Sequence, residues 1–166
     1  MTIDLLKNIV DDVPVGARLL GLDVGKKTIG LAIGDVEYGV ASPLETIKRT
    51  KFMKDMEVLS AIIREYEIGG FIIGYPVNMD GSTGARAQSI RDFAIEMEGF
   101  LGGNQWIALW DERLSTVSGE ESVNRFVDKR KTKINAKASG LIDKLAAQVI
   151  LQGALDFIRM YNLQSA

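Results

Sequence analysis

An α/β fold built on one mixed sheet follows from three observations on this 166-residue chain. Two short apolar runs, RLLGLD and TIGLAIGD, are joined by the tight-turn sequence VGKK, which reads as a hairpin. Further on, short β-branched runs alternate with segments whose apolar residues recur at helical spacing. An apolar share of 46% is ample for the core of a single domain. The expected sheet has five strands, an antiparallel three-strand meander plus two parallel strands, with helices on both faces.

The elements follow in order. Residues 1–17 read as a short amphipathic lead-in, residues 18–161 as one domain and residues 162–166 as a tail. Strands are expected over 18–23 and 28–35, and a third over 38–47, where Pro43 points to an edge or a bulge. Phe52, Met56, Leu59, Ile62, Ile63 and Tyr66 then fall on one helical face, and Gly69-Gly70 is expected to end that helix. FIIG at 71–74 suits a buried strand that runs into the loop YPVNMDGSTG. A helix over 85–100 has Ser82 or Thr83 available as its N-cap, and WIALW at 106–110 is the last strand. Helices over 115–126 and 138–161 flank a basic stretch.

Absent residue types restrict the chemistry. The chain has no cysteine and no histidine, so thiolate and imidazole cannot attack, shuttle protons or bind metal. Cysteine and histidine zinc sites, Ser-His-Asp triads and HExxH peptidases are excluded. Any catalytic metal must sit on oxygen, which favours Mg²⁺ or Mn²⁺ held by Asp and Glu. The first twelve residues resemble neither a signal nor a transit peptide, and no run reaches the roughly 18 apolar residues a membrane helix needs. A cytoplasmic location without membrane contact is expected.

Three carboxylate positions stand out. Asp23 ends an apolar strand beside Val24-Gly25, a place suited to gripping a metal and equally to starting a turn. Asp111-Glu112-Arg113 follows WIALW directly, and because side chains alternate, one of the two acids points at the site while the other points away or pairs with Arg113. On the last helix, Asp143 borders an apolar stripe of Ala146, Ala147, Ile150, Leu151 and Ala154, opposite Lys144, Gln148 and Gln152. A carboxylate there must be satisfied by hydrogen bonds or by a cation, the latter either a basic side chain or a metal shared with Asp23. Three such acids can form a two-metal site, and phosphodiester hydrolysis is its natural chemistry.

Net charge is −2 and the sequence pI about 5.3, so only a local patch can announce a nucleic-acid partner. Between residues 125 and 137 stand Arg125, Lys129, Arg130, Lys131, Lys133 and Lys137 against the single acid Asp128. The stretch reads as a nucleic-acid contact or as a solvated loop. The segment 74–86 offers neutral hydrogen bonds from Asn78, Ser82 and Thr83, backbone N–H groups at a helix start, and Arg86 for a charge-assisted phosphate contact. Alternatively its glycines only shape a connection and Arg86 pairs with Asp80.

The motifs GLDVGKKTIGLAIGD, IIGYPVNMDGSTGARAQSIRDFA, DERLST and DKLAAQVILQGALD together resemble the YqgF or RuvX family, whose members are described as Holliday junction resolvases or pre-16S ribosomal RNA nucleases. The likeness spans residues 18–156, with four motifs in order. It implies an RNase H-like fold and divalent-metal nuclease chemistry, with Asp23, Glu112 or Asp111, and Asp143 as ligands; analogy with nucleases of this fold prefers Glu112. It also raises the binding reading of Asn78, Ser82, Thr83 and Arg86, to which Arg113, Lys129, Arg130 and Lys131 are added as candidate substrate contacts. The implied partner is structured RNA or branched DNA, handled by a monomer or a homodimer.

Two lookalikes fail. GLDVGKKT has three residues, not four, between Gly21 and Gly25, and Lys27 rather than Lys26 precedes Thr28, so it is no P-loop. The actin-like kinases and ATPases share an acid-ended first strand but need a second lobe for which this chain has no room. A small nucleotide-binding fragment and a non-catalytic nucleic-acid-binding or ribosome-assembly module remain as competing readings.

Overall fold

A computed structural model describes residues 2–78, 80–114 and 136–165. The chain opens with strand β1 (Thr2–Leu5), one helical turn α1 (Leu6–Ile9) and a 3₁₀ turn (Val10–Asp12). Strands β2 (Arg18–Val24), β3 (Thr28–Asp35) and β4 (Ala41–Lys48) follow, then helix α2 (Phe52–Tyr66), β5 (Ile68–Tyr75), α3 (Ala85–Phe100), β6 (Trp106–Asp111), a second 3₁₀ turn (Glu112–Leu114) and the long helix α4 (Ala136–Ser165). The helix expected over 115–126 lies outside the described residues, as do Arg125, Lys129, Arg130, Lys131 and Lys133. Among the described residues no helix is long and apolar enough to cross a membrane.

The sheet has six strands, not five, in the order β1-β6-β5-β2-β3-β4. The meander is antiparallel as expected, and β2, β5 and β6 run parallel. The added strand comes from the supposed lead-in, where Thr2 to Leu5 pair in parallel with Trp106 to Leu109. Behind it Leu6, Ile9 and Val10 are buried, and the Trp106 indole N–H donates to the Ile9 carbonyl at 3.2 Å. Thr2-Ile3-Asp4-Leu5 alternates polar and apolar only over the shortest length at which a strand pattern registers, and it runs straight into a helical turn; the pairing edge of β6 supplies the missing order.

Side-chain alternation divides the core into two layers. Leu20, Leu22 and Val24 of β2, Phe71 and Ile73 of β5, and Ile107 and Leu109 of β6 pack with α2 and α3. Leu19, Ile72, Trp106, Ala108 and Trp110 pack on the other face with Ala147, Leu151, Ala154 and Ile158 of α4. Asp23, between Leu22 and Val24, therefore faces α4.

Three local expectations change. Gly69-Gly70 does not end α2; Glu67 does, in the left-handed region at φ 55°. The two glycines lie inside β5, where a Cβ on Gly70 would come within 2.9 Å of Leu19 and 3.0 Å of the Trp106 ring. Neither Ser82 nor Thr83 caps α3: the N-cap is Gly84, and no side chain bonds it. Gln148 and Gln152 are not merely a polar face either, because they hydrogen-bond the backbone of Gly39 and Ala41 at the start of β4. Pro43 does lie on an edge strand, at an irregularity in the β3–β4 register.

Candidate active site

The carboxyl ends of the parallel strands β2, β5 and β6 lie together, where ligands gather in sheets of this kind. Asp23 is half-buried there, covered by α4 rather than open at the rim as its strand-end position suggested. Gly30 is the reason α4 comes so close: a Cβ on it would strike the backbone carbonyl of Asp143. That approach brings the Asp143 side chain over the hairpin, where the Thr28 hydroxyl donates to its Oδ2 at 2.6 Å.

Asp23 and Asp143 are near enough to feel each other's charge. Burial lifts the Asp23 carboxyl above its ordinary value of 3.8; Arg86 pulls it back down, and the like charge of Asp143 pushes it further up. Two acids facing one another in a partly desolvated place destabilise each other's ionised form unless a cation intervenes.

The adjacent acids after β6 take different places. Glu112 reaches back over β5 on the α4 side: a Cβ on Gly74 would lie 2.8 Å from its Oε1 and 2.5 Å from Ile150 of α4. Asp111 instead holds Arg113, with the guanidinium at 2.8 Å. Burial opposes ionisation of Asp111, but the Arg113 side-chain and backbone hydrogen bonds outweigh it and hold the carboxyl low. Asp23, Asp143 and Glu112 thus share the α4 face of the sheet. Their donor set suits a hard divalent cation in kind, although among the described residues no three acids stand close enough to enclose one.

The polar loop before α3 is bonded to itself. Asp80 accepts from the Ser82 backbone N–H at 2.9 Å and from its hydroxyl at 2.6 Å, and the Asn78 amide donates to the Ser82 hydroxyl at 3.1 Å. Arg113 ties this loop to β6 by donating to the Asn78 carbonyl at 3.1 Å. Asp80 therefore bonds Ser82, and Arg86, which stays exposed, acts on Asp23 instead. Thr83 is exposed beside it. Lys129, Arg130 and Lys131 lie outside the described residues.

Thr28, Gly30 and Gly74 were not singled out from the sequence. Thr28 follows the VGKK turn directly, so its nearness to a strand-end acid was available as a signal. Gly30 and Gly74 carried none, because what they admit comes from α4 and from beyond β6.

The match to the family model for RuvX, described as Holliday junction resolvase, extends over residues 17–157. The chain belongs to the RuvX family. The chain is similar to a protein of Roseobacter denitrificans, 45% identical over 91% of this chain and 90% of the relative, and to one of Rhodobacter capsulatus, 49% identical over 86% and 84%. Both carry the name "Putative pre-16S rRNA nuclease". The fold is similar to that of T. thermophilus RuvC solved with a Holliday junction substrate, at a TM-score of 0.55 and 13% identity over 86% of this chain and 96% of that one. The match spans all three acids and the hairpin.

Proposed function

We propose that this RuvX protein is a divalent-metal-dependent endonuclease that hydrolyses phosphodiester bonds in structured RNA or branched DNA. The observation that carries the reading is the meeting of Asp23 on β2 with Asp143 on α4, two acids from opposite ends of the fold pressed into one half-buried place. Family membership and the relatives' names support it.

Asp23 and Asp143 would hold the ion, and Glu112, lying over Gly74 on the same face, would complete the set. A divalent ion such as Mg²⁺ or Mn²⁺ held there would supply Lewis acidity, for activating water and for neutralising charge on the phosphate. The protein's own share is positioning. Thr28 fixes one oxygen of Asp143, Gly30 admits the helix that carries it, and Arg86 supplies a positive charge beside Asp23. Arg113 braces the loop that precedes α3 by donating to the Asn78 carbonyl.

The test is a cleavage assay on precursor 16S RNA and on a four-way DNA junction, with and without Mn²⁺. Wild-type protein should cut in the presence of metal, and Asp23→Asn should lose about 10²–10³-fold, on the scale of removing a key electrostatic group. Equal cutting by the variant overturns the reading, and the two substrates separate RNA from DNA. A second reading, a nucleic-acid or ribosome-assembly binding module, is favoured by the absence of an enclosing carboxylate trio among the described residues. It predicts salt-sensitive binding that survives Asp23→Asn, with no cleavage of either substrate.

A further inference from the structure

Next to Asp23, on the opposite face of the sheet from α4, a groove of about 550 Å³ opens between the β2–β3 turn and the start of α3. Among the described residues its charged lining consists of Lys26, Arg49 and Arg86, with Ser89 adding a hydroxyl and no acid beside them. In a protein of net charge −2, three cations around one cleft are a local concentration that calls for an anion.

The cleft is built rather than incidental. Arg49 donates to the Gly25 carbonyl at 2.6 Å and lies 5.5 Å above the centroid of the Phe93 ring, which pins its guanidinium between the hairpin turn and α3. The Arg49 backbone N–H bonds the Lys27 carbonyl at 2.8 Å, tying the end of β4 to the same turn. Lys26 and Arg86 remain exposed on either side.

We propose that this groove is a subsite for the phosphodiester backbone of a nucleic-acid strand, holding a phosphate beside the one to be cleaved. Val24 and Gly25, which line it, follow Asp23 directly, and Arg86, which lines it too, is near enough for its charge to act on Asp23, so the groove adjoins the site although it opens on the other face of the sheet. Three cationic side chains match a phosphate by charge, and among the described lining residues the one aromatic ring, Phe93, already carries the Arg49 guanidinium, so they offer no open platform for stacking a base. Recognition is therefore of the backbone and independent of base sequence. The proposal rests on the nuclease reading for the role of Asp23.

The test measures binding of fluorescein-labelled single strands to the full chain in EDTA, across a salt series. Two base sequences are used, each as RNA and as DNA. Combining Lys26→Ala with Arg86→Ala should weaken binding at least about 10-fold at moderate salt and flatten the dependence of log K on log salt by about 0.7 for each phosphate no longer neutralised. The loss should be equal for both sequences and both sugars, and Lys26→Arg should retain wild-type affinity. Circular dichroism melting of each variant confirms that the fold is intact. Unchanged affinity and slope in the double variant overturn the proposal, as does a loss confined to one base sequence or one sugar. Cleavage run in parallel separates the two ideas. A wild type that never cuts, with binding that depends on Lys26 and Arg86, removes the nuclease reading and keeps the subsite. Cleavage that needs Asp23, with binding indifferent to Lys26 and Arg86, does the reverse.

Discussion

Gly74 shows how a single absent side chain can organise acids. With no Cβ on β5, the Glu112 carboxylate and the Ile150 tip of α4 share the space above it. The Glu112 carboxylate is the far end of a flexible side chain, whereas Ile150 is buried and its Cγ1 stands at 3.2 Å as well, so Gly74→Ala should displace Glu112 and cost about 1–3 kcal/mol through overpacking. Activity should fall about 10–100-fold, the usual penalty for disturbing the support of a metal ligand, and parallel melting and cleavage measurements on the variant check both. Asp23 carries a pH signature of its own. Its folded-state pKa lies above the unfolded value of 3.8, through burial and the charge of Asp143 against the pull of Arg86. The stability this contributes is fully present below the unfolded pKa and is lost as pH rises through the folded one. In chelator, Asp23→Asn should therefore be more stable than wild type at neutral pH, with the difference vanishing in acid. Denaturant melts of both proteins across pH test the sign.

At the scale of elements, the hairpin β2–β3 and the helix α4 form one working unit. The hairpin presents Asp23 and Thr28, α4 presents Asp143, and Gly30 sets their spacing. The N-terminal strand β1 and the turn behind it stand apart from the chemistry but not from the fold. Leu6 is 2% exposed, in the layer shared by Ile9, Trp106 and α4. Leu6→Ala should cost about 2–5 kcal/mol, the range for truncating a buried leucine. An effect below about 0.5 kcal/mol in urea unfolding would return residues 1–17 to the status of a loose leader.

For the whole molecule, the two acids facing each other make metal binding a stability statement. A cation that relieves the Asp23–Asp143 repulsion binds the folded chain and not the unfolded one. At a hundredfold excess over its dissociation constant it should add about 2.7 kcal/mol, or roughly 5–10 °C of melting temperature for a chain of this size. The shift should appear with Mg²⁺ or Mn²⁺ and disappear in Asp23→Asn. A wild type that melts identically in EDTA and in divalent metal points to the binding-module reading.

Composition and pattern alone determined a good deal. The lack of histidine and cysteine restricted the chemistry to oxygen ligands, the periodicities placed the meander and the principal helices, and four ordered motifs pointed to the family. Those signals are local or compositional, so they survive without coordinates. What needed the tertiary structure were the meetings of distant segments: the sixth strand, whose alternation has the minimum length and which needs the edge of β6 to pair with; Glu67 in place of Gly69-Gly70 as the end of α2; the separation of Glu112 over Gly74 from Asp111 on Arg113; and the groove of Lys26, Arg49 and Arg86. Each depends on which residues the chain brings together from far apart, and on where a missing Cβ lets them approach.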